Sequence, residues 1–223
     1  MNPGPIWRPV AAEALGSAFL LATIVGSGIM AARLAGGNDA VALLCNTLPT
    51  GAMLVVLILV FGPASGAHFN PLVTLAFAIR GEVSGRVLAG YVAAQIVGAI
   101  AGVLAAHLMF DLPVWEVATK VRSSPGQWFA EGIATFGLVL TILGCLQRRP
   151  EAVPYAVGLY IVAAYWFTAS TSFANPAVTL GRSLSDTFAG IAPGSVPAFL
   201  AAQIAGMLIA LPTAKALFRE ASG

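Results

Sequence analysis

Two similar segments of this chain, residues 67–75 and 172–180, each carry an Asn-Pro pair and a following Val-Thr-Leu inside otherwise apolar sequence. Asparagine can cap a helix through its side chain, and proline at the first helical position lacks a donor that would be unpaired there anyway. Each segment therefore predicts a helix N-terminus. An unpaired donor inside a membrane is costly unless it faces protein or a water-filled cavity. We therefore expect both helix starts to line a pore or a binding site, with the amides of Asn70 and Asn175 facing it at the membrane midplane; the alternative is that both side chains are caps only.

The composition places the chain in a membrane. Apolar residues make up 58% of the sequence and charged residues 9%, with a mean hydropathy of +0.88, whereas about a quarter of a soluble domain is charged. A net charge of +2 with scattered basic residues argues against nucleic acid as a partner and leaves membrane lipid as the surroundings. No catalytic constellation and no metal-ligand spacing is present, so we expect no enzyme activity, no cofactor and no metal.

The spacing of charged residues predicts the topology. Between Asp39 and Arg80 lie 40 residues without Asp, Glu, Lys or Arg, which as one helix would be about 60 Å long and would cross a membrane twice. The chain must therefore fold back, and the Gly-Pro-rich stretch at 61–66 marks the break. This predicts a helix over about 40–61 and a re-entrant half-helix over about 70–79.

The remaining charged residues delimit the other spans. In the first half, the first helix lies between Glu13 and Arg33 and the third between Arg86 and Asp111, and a polar loop follows from Asp111 to Arg122. In the second half, the fourth helix extends to Arg148, the fifth helix and second half-helix lie between Glu151 and Asp186, and the sixth helix extends to Lys215. Halves of about 1–112 and 113–223 each hold an odd number of spans, so the second half enters from the opposite face. We predict an all-α membrane protein with six transmembrane helices and two re-entrant half-helices in an inverted repeat, forming one channel domain over residues 1–223.

The distribution of Lys and Arg predicts the orientation. With both termini inside, the inner side holds Arg8, Arg80, Arg86, Arg148, Arg149, Lys215 and Arg219, and the outer side holds Arg33, Lys120, Arg122 and Arg182. The positive-inside rule then favours cytoplasmic N- and C-termini in the inner (plasma) membrane. Small residues at helix-packing spacing, such as Gly98-x-x-x-Gly102, predict close approach between helices.

Six spans in an inverted repeat, an Asn-Pro motif in each half, and a membrane glutamate in helices 1 and 4 resemble the aquaporin (major intrinsic protein) family over the whole chain. The resemblance implies a right-handed bundle and a homotetramer with one pore per subunit. It implies that Glu13 and Glu131 brace the loops by accepting hydrogen bonds from their backbones; from the residues alone, both glutamates could instead relay protons. The pore-lining backbone would come from Gly66, Ala67, His68, Thr171, Ser172 and Phe173, while the His68 ring either braces the loop or touches the permeant.

The sequence departs from the family pattern at its selectivity filter. The four family positions fall on Thr50, Ala163, Ser172 and Val178, where water-selective members usually have a large aromatic residue, a histidine, a small residue and an arginine. This filter has neither bulk nor charge, and it is similar to that of aquaporins found with bacterial arsenic-resistance operons. Arg182 follows Val178 by four residues and so lies one turn further out. It either restores positive charge at the outer mouth or forms a solvated pair with Asp186.

These features predict a passive channel for small neutral solutes. The wide filter implies that water, glycerol and arsenous acid all pass. Three other interpretations stay open at this level: a water-selective aquaporin, a purely structural role at membrane junctions, and a secondary active transporter, which also uses inverted repeats and broken helices. A transporter would be expected to place titratable residues at the breaks, and here the breaks hold Asn, Pro, Ser, Thr and Gly.

Overall fold

The computed structural model describes residues 6–218, which form helices and loops without β-strands. The helices are α1 (Trp7–Leu34), α2 (Asp39–Ser65), α3 (Pro71–Ile79), α4 (Gly85–Met109), α5 (Pro125–Arg148), α6 (Val153–Phe167), α7 (Pro176–Arg182) and α8 (Val196–Phe218), with single 3₁₀ turns at Pro150–Ala152 and Pro193–Ser195. We call the face that holds the start of α1 and the end of α8 the inner face, and the opposite one the outer face. Arg219, assigned above to the inner side, lies outside the described residues.

The long helices are membrane-spanning in length and composition, as predicted. Five of them, α1, α2, α4, α5 and the helix that begins with the turn at Pro193, are long and apolar enough to cross a bilayer. The sixth, α6, has 15 residues and is therefore only about 22 Å long. It is short because the chain leaves the helix at Thr168 and turns back as the re-entrant loop that leads to α7.

Two helix ends differ from the sequence prediction. Helix α2 does not stop near residue 61 but continues through Pro63 to Ser65, and Gly66 ends it with a left-handed φ of 87°. Proline near the end of a helix removes one backbone bond without forcing a stop, whereas glycine adopts the left-handed conformation that terminates helices. Helix α7 ends at Arg182 rather than near Asp186, because the Ser183 hydroxyl donates to the carbonyl of Leu180 and closes the last turn.

Glycines let the helices of each half approach closely. Helix α1 packs along α4, and α5 packs along α8. A Cβ atom at Gly98 or Gly102 would overlap the carbonyl oxygens of Ala14 and Ala18 on α1, and one at Gly206 on α8 would overlap a carbonyl oxygen of α5. The predicted packing role of Gly98 and Gly102 is confirmed, and Gly206 repeats it in the second half. These two pairs form the frame that holds the half-helices α3 and α7.

Candidate pore and its two mouths

The half-helices begin at the two asparagines. The Oδ1 atom of Asn70 accepts from the backbone N–H of Leu72 at 2.9 Å. Its counterpart in Asn175 accepts from the N–H groups of Ala177 at 2.9 Å and Val178 at 3.3 Å. Each asparagine thus satisfies donors that the first turn of a helix leaves unpaired.

The same two side chains tie the half-helices to each other. The Nδ2 atom of Asn70 donates to the carbonyl of Ala174 at 2.8 Å, and Nδ2 of Asn175 donates to the carbonyl of Phe69 at 2.7 Å. An amide nitrogen carries two hydrogens, so each Asn keeps a second donor. Both asparagines line the central cavity, and that second donor is available to a solute there.

The loops before both half-helices contain strained backbone. Left-handed φ values occur at Ala67 (52°), Phe69 (47°), Thr171 (63°), Ser172 (48°) and Ala174 (46°). This conformation costs about 1–2 kcal/mol for each residue with a side chain. Strain of this kind persists only where surrounding groups hold the backbone in place. Both loops must therefore be fixed by hydrogen bonds from neighbouring helices.

Glu131 on α5 holds the second loop. Its carboxylate is fully buried and accepts from the N–H of Phe173 at 2.8 Å, the N–H of Ala174 at 2.9 Å and the side-chain amide of Gln203 at 2.6 Å. Hydrogen bonds to an ionised acceptor are the strong ones. The geometry is the loop-bracing one, and all of the hydrogen bonds found for this carboxylate come from the loop and from Gln203.

Glu13 on α1 holds the first loop in the same way. It accepts from the N–H groups of His68 at 2.9 Å and Phe69 at 2.7 Å, and from the Gln95 amide at 2.7 Å. Gln95 also donates to Thr74 on α3, as Gln203 does to Thr179 on α7. Sequence reasoning gave the two glutamines no role, although the repeated Ala-Ala-Gln-Ile segments around them were a signal that could have done so.

A cavity of about 330 Å³ passes both half-helix starts, from the Val178 side near the outer face to Glu82 at the inner face. Part of the lining, which we call the polar wall, consists of predicted filter, midplane and loop residues: Thr50, Gly66, Ala67, His68, Asn70, Ser172, Phe173, Asn175 and Val178. The rest, which we call the apolar wall, has side chains such as Ile24, Leu54, Leu138 and Val157. A cavity that combines a few polar groups with a mainly apolar lining suits solutes that are small, polar and uncharged.

Free carbonyl groups lie along the polar wall. Within residues 6–218, no hydrogen bond ends on the backbone oxygens of residues 66–68 or 171–173. The hydroxyl of Ser172 is likewise buried without a partner in that range. Buried backbone oxygens are rarely left unpaired, so these groups are available to a solute in the cavity. Thr171 lies further out than the others and lines a second cavity at the outer face.

The structure corrects one filter position. Thr50, Ser172 and Val178 line the cavity, but Ala163 is exposed on the outside of α6 and does not. Val157, Ile161 and Tyr165 face the cavity instead, at intervals of four residues along one side of α6. Tyr165 is 3% exposed and is the large side chain that this helix contributes. The expectation for Ala163 is therefore wrong, and the filter region is less empty than the sequence indicated.

Comparison with known proteins decides the family. The sequence profile of the major intrinsic protein family matches residues 2–169. The chain is 56% identical over 221 residues to aquaglyceroporin AqpS of Rhizobium meliloti (strain 1021), covering 99% of this chain and 94% of that protein. It is 34% identical over 201 residues to aquaporin A of Dictyostelium discoideum, covering 81% and 71%. The chain belongs to the major intrinsic protein family.

The fold agrees with this assignment. The X-ray structure of the aquaglyceroporin from Plasmodium falciparum superimposes with a TM-score of 0.74 over 96% of this chain and 97% of that one, at 21% sequence identity. Membership of the family, together with the 56% identical aquaglyceroporin, shows that this protein is a membrane channel for water and small solutes and not an enzyme, in agreement with the sequence prediction.

The outer mouth of this major intrinsic protein is a second cavity of about 220 Å³, which we call the outer vestibule. It is lined by Asp39, Leu43, Asn46, Lys120, Arg122, Thr171, Arg182 and Phe188. Arg182 is 2% exposed, and its guanidinium lies over the ring of Phe173 with 3.5 Å between Cζ and the ring centroid. Of the two alternatives for Arg182, the structure therefore favours the charge at the outer mouth over the solvated pair with Asp186, which accepts from Thr119 instead. Those bonds from Thr119 lower the pKa of Asp186.

Arg122 joins Arg182 in the outer vestibule, a role that the sequence did not reveal. Arg122 is 5% exposed, and its Cζ lies 5.0 Å from the centroid of the Phe173 ring. Burial, and then the charge of Arg182, lowers the pKa of Arg122 to about 9, which leaves it protonated at neutral pH. The long loop between α4 and α5 delivers this side chain, and no motif marks it.

The inner mouth is formed by His68 and Glu82. The His68 ring stacks on Phe77 with 4.8 Å between centroids, its Nδ1 lies 3.1 Å from the Thr74 hydroxyl, and it lines the cavity. It therefore both braces the loop and borders the pore, two roles that were predicted as alternatives. Glu82, which no sequence motif marks, pairs with Arg80 at 2.6 Å.

Proposed function

We propose that this channel conducts neutral polar solutes wider than water, including glycerol-sized polyols and the neutral trihydroxides of arsenic and antimony, together with water. The observation that carries the proposal is Val178, which lines the cavity at the position where the family usually has an arginine. Its side chain supplies neither the bulk nor the fixed charge of a guanidinium. The similarity to a protein named aquaglyceroporin AqpS supports the same solute class.

Passage would be passive and in single file. A solute hydroxyl donates to the free carbonyls of residues 66–68 and 171–173, and its oxygens accept from Asn70 and Asn175. The hydroxyls of Thr50 and Ser172 complete the polar wall, while the apolar wall excludes extra water. Such a ladder from two loops can replace the hydration of a neutral molecule, but it does not surround an ion with oxygens as the four-fold carbonyl rings of cation-selective filters do.

Cations are opposed at two levels. The N-termini of α3 and α7 meet at the asparagines, and each carries the equivalent of about half a positive charge. Further out, Lys120, Arg122 and Arg182 make the outer vestibule positive. These cations supply positive charge above a filter that has none of its own.

The assembly that we infer is a homotetramer in the inner (plasma) membrane, with both termini cytoplasmic. Large exposed apolar side chains such as Phe19, Val60, Phe129 and Leu159 support burial in lipid or against other subunits, and the Lys and Arg distribution supports the orientation. Chemical cross-linking in membranes should give a four-subunit ladder. A tag at the C-terminus should be cleaved only after the membrane is opened, and cleavage in intact cells would reverse the orientation.

The decisive experiment restores the missing arginine. In stopped-flow measurements on proteoliposomes with equal protein content, Val178→Arg should lower glycerol and arsenous acid flux by about tenfold or more, and water flux much less, since bore and charge act most on the wider solutes. Val178→Met is the matched control for bulk without charge and should have an intermediate effect. If Val178→Arg conducts arsenous acid as well as the parent, position 178 does not line the constriction.

A second measurement separates the channel from a transporter. Flux should rise in proportion to the solute gradient and should not respond to an imposed proton or sodium gradient. Accumulation of glycerol against its gradient, driven by either ion, would contradict passive permeation. The same vesicles serve both experiments.

A further inference from the structure

The outer vestibule holds two buried guanidinium groups that lack a bonded carboxylate. Arg182 and Arg122 are 2% and 5% exposed. Among residues 6–218, the only ion pair with its atoms within 4.0 Å is that between Arg80 and Glu82. The two arginines therefore lack a direct counter-charge in this part of the chain. Because a buried charge is costly unless it is paired and hydrogen-bonded, an anion that bound both of them would be stabilised.

Both guanidinium groups keep unused donors. Arg182 donates through Nε to the carbonyl of Ala189, but its Nη1 is buried and has no partner within the described part of the chain. Arg122 donates to the carbonyls of Gly190 at 3.0 Å and Ser170 at 3.3 Å. Since a guanidinium has five donors, each side chain can still bind a further acceptor from the outer vestibule.

The charges around the outer vestibule leave a positive excess. Lys120, Arg122 and Arg182 line it, as does one carboxylate, Asp39. Glu131 on α5 does not line the outer vestibule, but its negative charge interacts favourably with both guanidinium groups. Its oxygens are already occupied by the second loop and Gln203. Three cations against two carboxylates leave one positive charge uncompensated. Donors that arrive from three separate side chains match an anion with several oxygens better than a monatomic ion.

We propose that the outer vestibule is a binding site for a small tetrahedral oxyanion held by Arg182, Arg122 and Lys120, and that its occupation closes the pore from the outer face. Closure follows from position. Asn46 precedes Thr50 by one helical turn, Thr171 adjoins Ser172, and Arg182 follows Val178 by one turn. The outer vestibule thus borders the filter on three of its elements, and an anion bound there stands in the path of the solute.

Binding and closure are tested separately, because closure rests on the proposed passive channel while binding does not. Calorimetric titration of the protein in nanodiscs with inorganic phosphate, at ionic strength held constant with sodium chloride, should show one site per chain. Arg182→Gln and Lys120→Gln should each weaken binding by about tenfold. Arg33→Gln is the matched control, since Arg33 is an exposed cation at the same face that donates to the carbonyl of Phe110, and it should bind phosphate like the parent.

Closure is measured as water flux in proteoliposomes with phosphate on both sides, so that channels of either orientation are exposed to it. Saturating phosphate should reduce flux by more than about half in the parent and in Arg33→Gln, but not in Lys120→Gln, because a site in series with the path blocks it when filled. Lys120 is exposed, so its variant tests the proposal even if Arg182→Gln does not fold. Phosphate binding no stronger than that of chloride, or equal inhibition of the parent and Lys120→Gln, would overturn the proposal. Absence of glycerol flux without phosphate would contradict the proposed function and leave the binding result standing.

Discussion

Replacement of Glu131 by glutamine tests whether the buried carboxylate holds the strained second loop. Glutamine has the same shape but only one acceptor oxygen. In the better orientation this oxygen accepts from Ala174 and Gln203, which share one carboxylate oxygen in the parent. The N–H of Phe173 then faces the new NH₂ group and is left unpaired. An unpaired buried N–H costs about 1–3 kcal/mol, and each of the two remaining bonds loses about 1 kcal/mol with the charge. The expected loss is about 3–5 kcal/mol.

This loss should be visible in thermal unfolding in detergent. For a chain of this size, 1 kcal/mol corresponds to about 2–4 °C in Tm, so Glu131→Gln should lower the Tm by roughly 10 °C. Solute flux should fall as well, because the loop carries Ser172 of the filter. Glu151→Gln is the matched control, since Glu151 is exposed in the 3₁₀ turn before α6, and its Tm should stay at the parental value.

The result that would refute this reasoning is a Glu131→Gln protein with parental Tm and parental flux. The loop would then hold its left-handed residues without the carboxylate, and the three hydrogen bonds to Glu131 would be incidental. Glu13→Gln extends the test to the first half. It should cost at least as much, because Glu13 also accepts from the Ser65 hydroxyl at 2.6 Å.

Three further predictions concern the midplane, the filter and the helix frame. Asn175→Asp keeps the acceptor that caps α7 but loses the donor to the opposite loop, so stopped-flow solute flux should fall severalfold at equal protein abundance; unchanged flux would mean that the side chain is a cap only. Tyr165→Ala should widen the filter region and raise glycerol flux, whereas Ala163→Ser should not, and an effect of similar size at Ala163 would contradict its exposed position. Gly102→Val forces α4 away from α1 and should lower the free energy of unfolding by about 3 kcal/mol or more, measured by thermal unfolding. Gly62→Ala is the control, because its new Cβ meets open space, and it should leave the free energy of unfolding unchanged.

The sequence by itself determined the class of the protein and the plan of its helices. High hydropathy identifies a membrane protein because only apolar side chains are stable against lipid tails. The spacing between charged residues predicts the number of spans because the bilayer core has a fixed thickness. The two Asn-Pro segments locate the half-helices because capping is a local property of a few neighbouring residues. The repeat then assigns equivalent positions to Glu13 and Glu131.

Only the tertiary structure decided which side of each helix faces the pore. In α6 the surfaces toward lipid and toward the cavity are both apolar, so periodicity cannot distinguish Ala163 from Tyr165, in contrast to a soluble helix with one polar face. The outer vestibule is likewise invisible in the sequence, since Arg122 and Arg182 are 60 positions apart. They meet only because the α4–α5 loop and the end of α7 both pack against Phe173. A long-range meeting of side chains depends on the path of the whole backbone, whereas a cap or a span depends on its own segment.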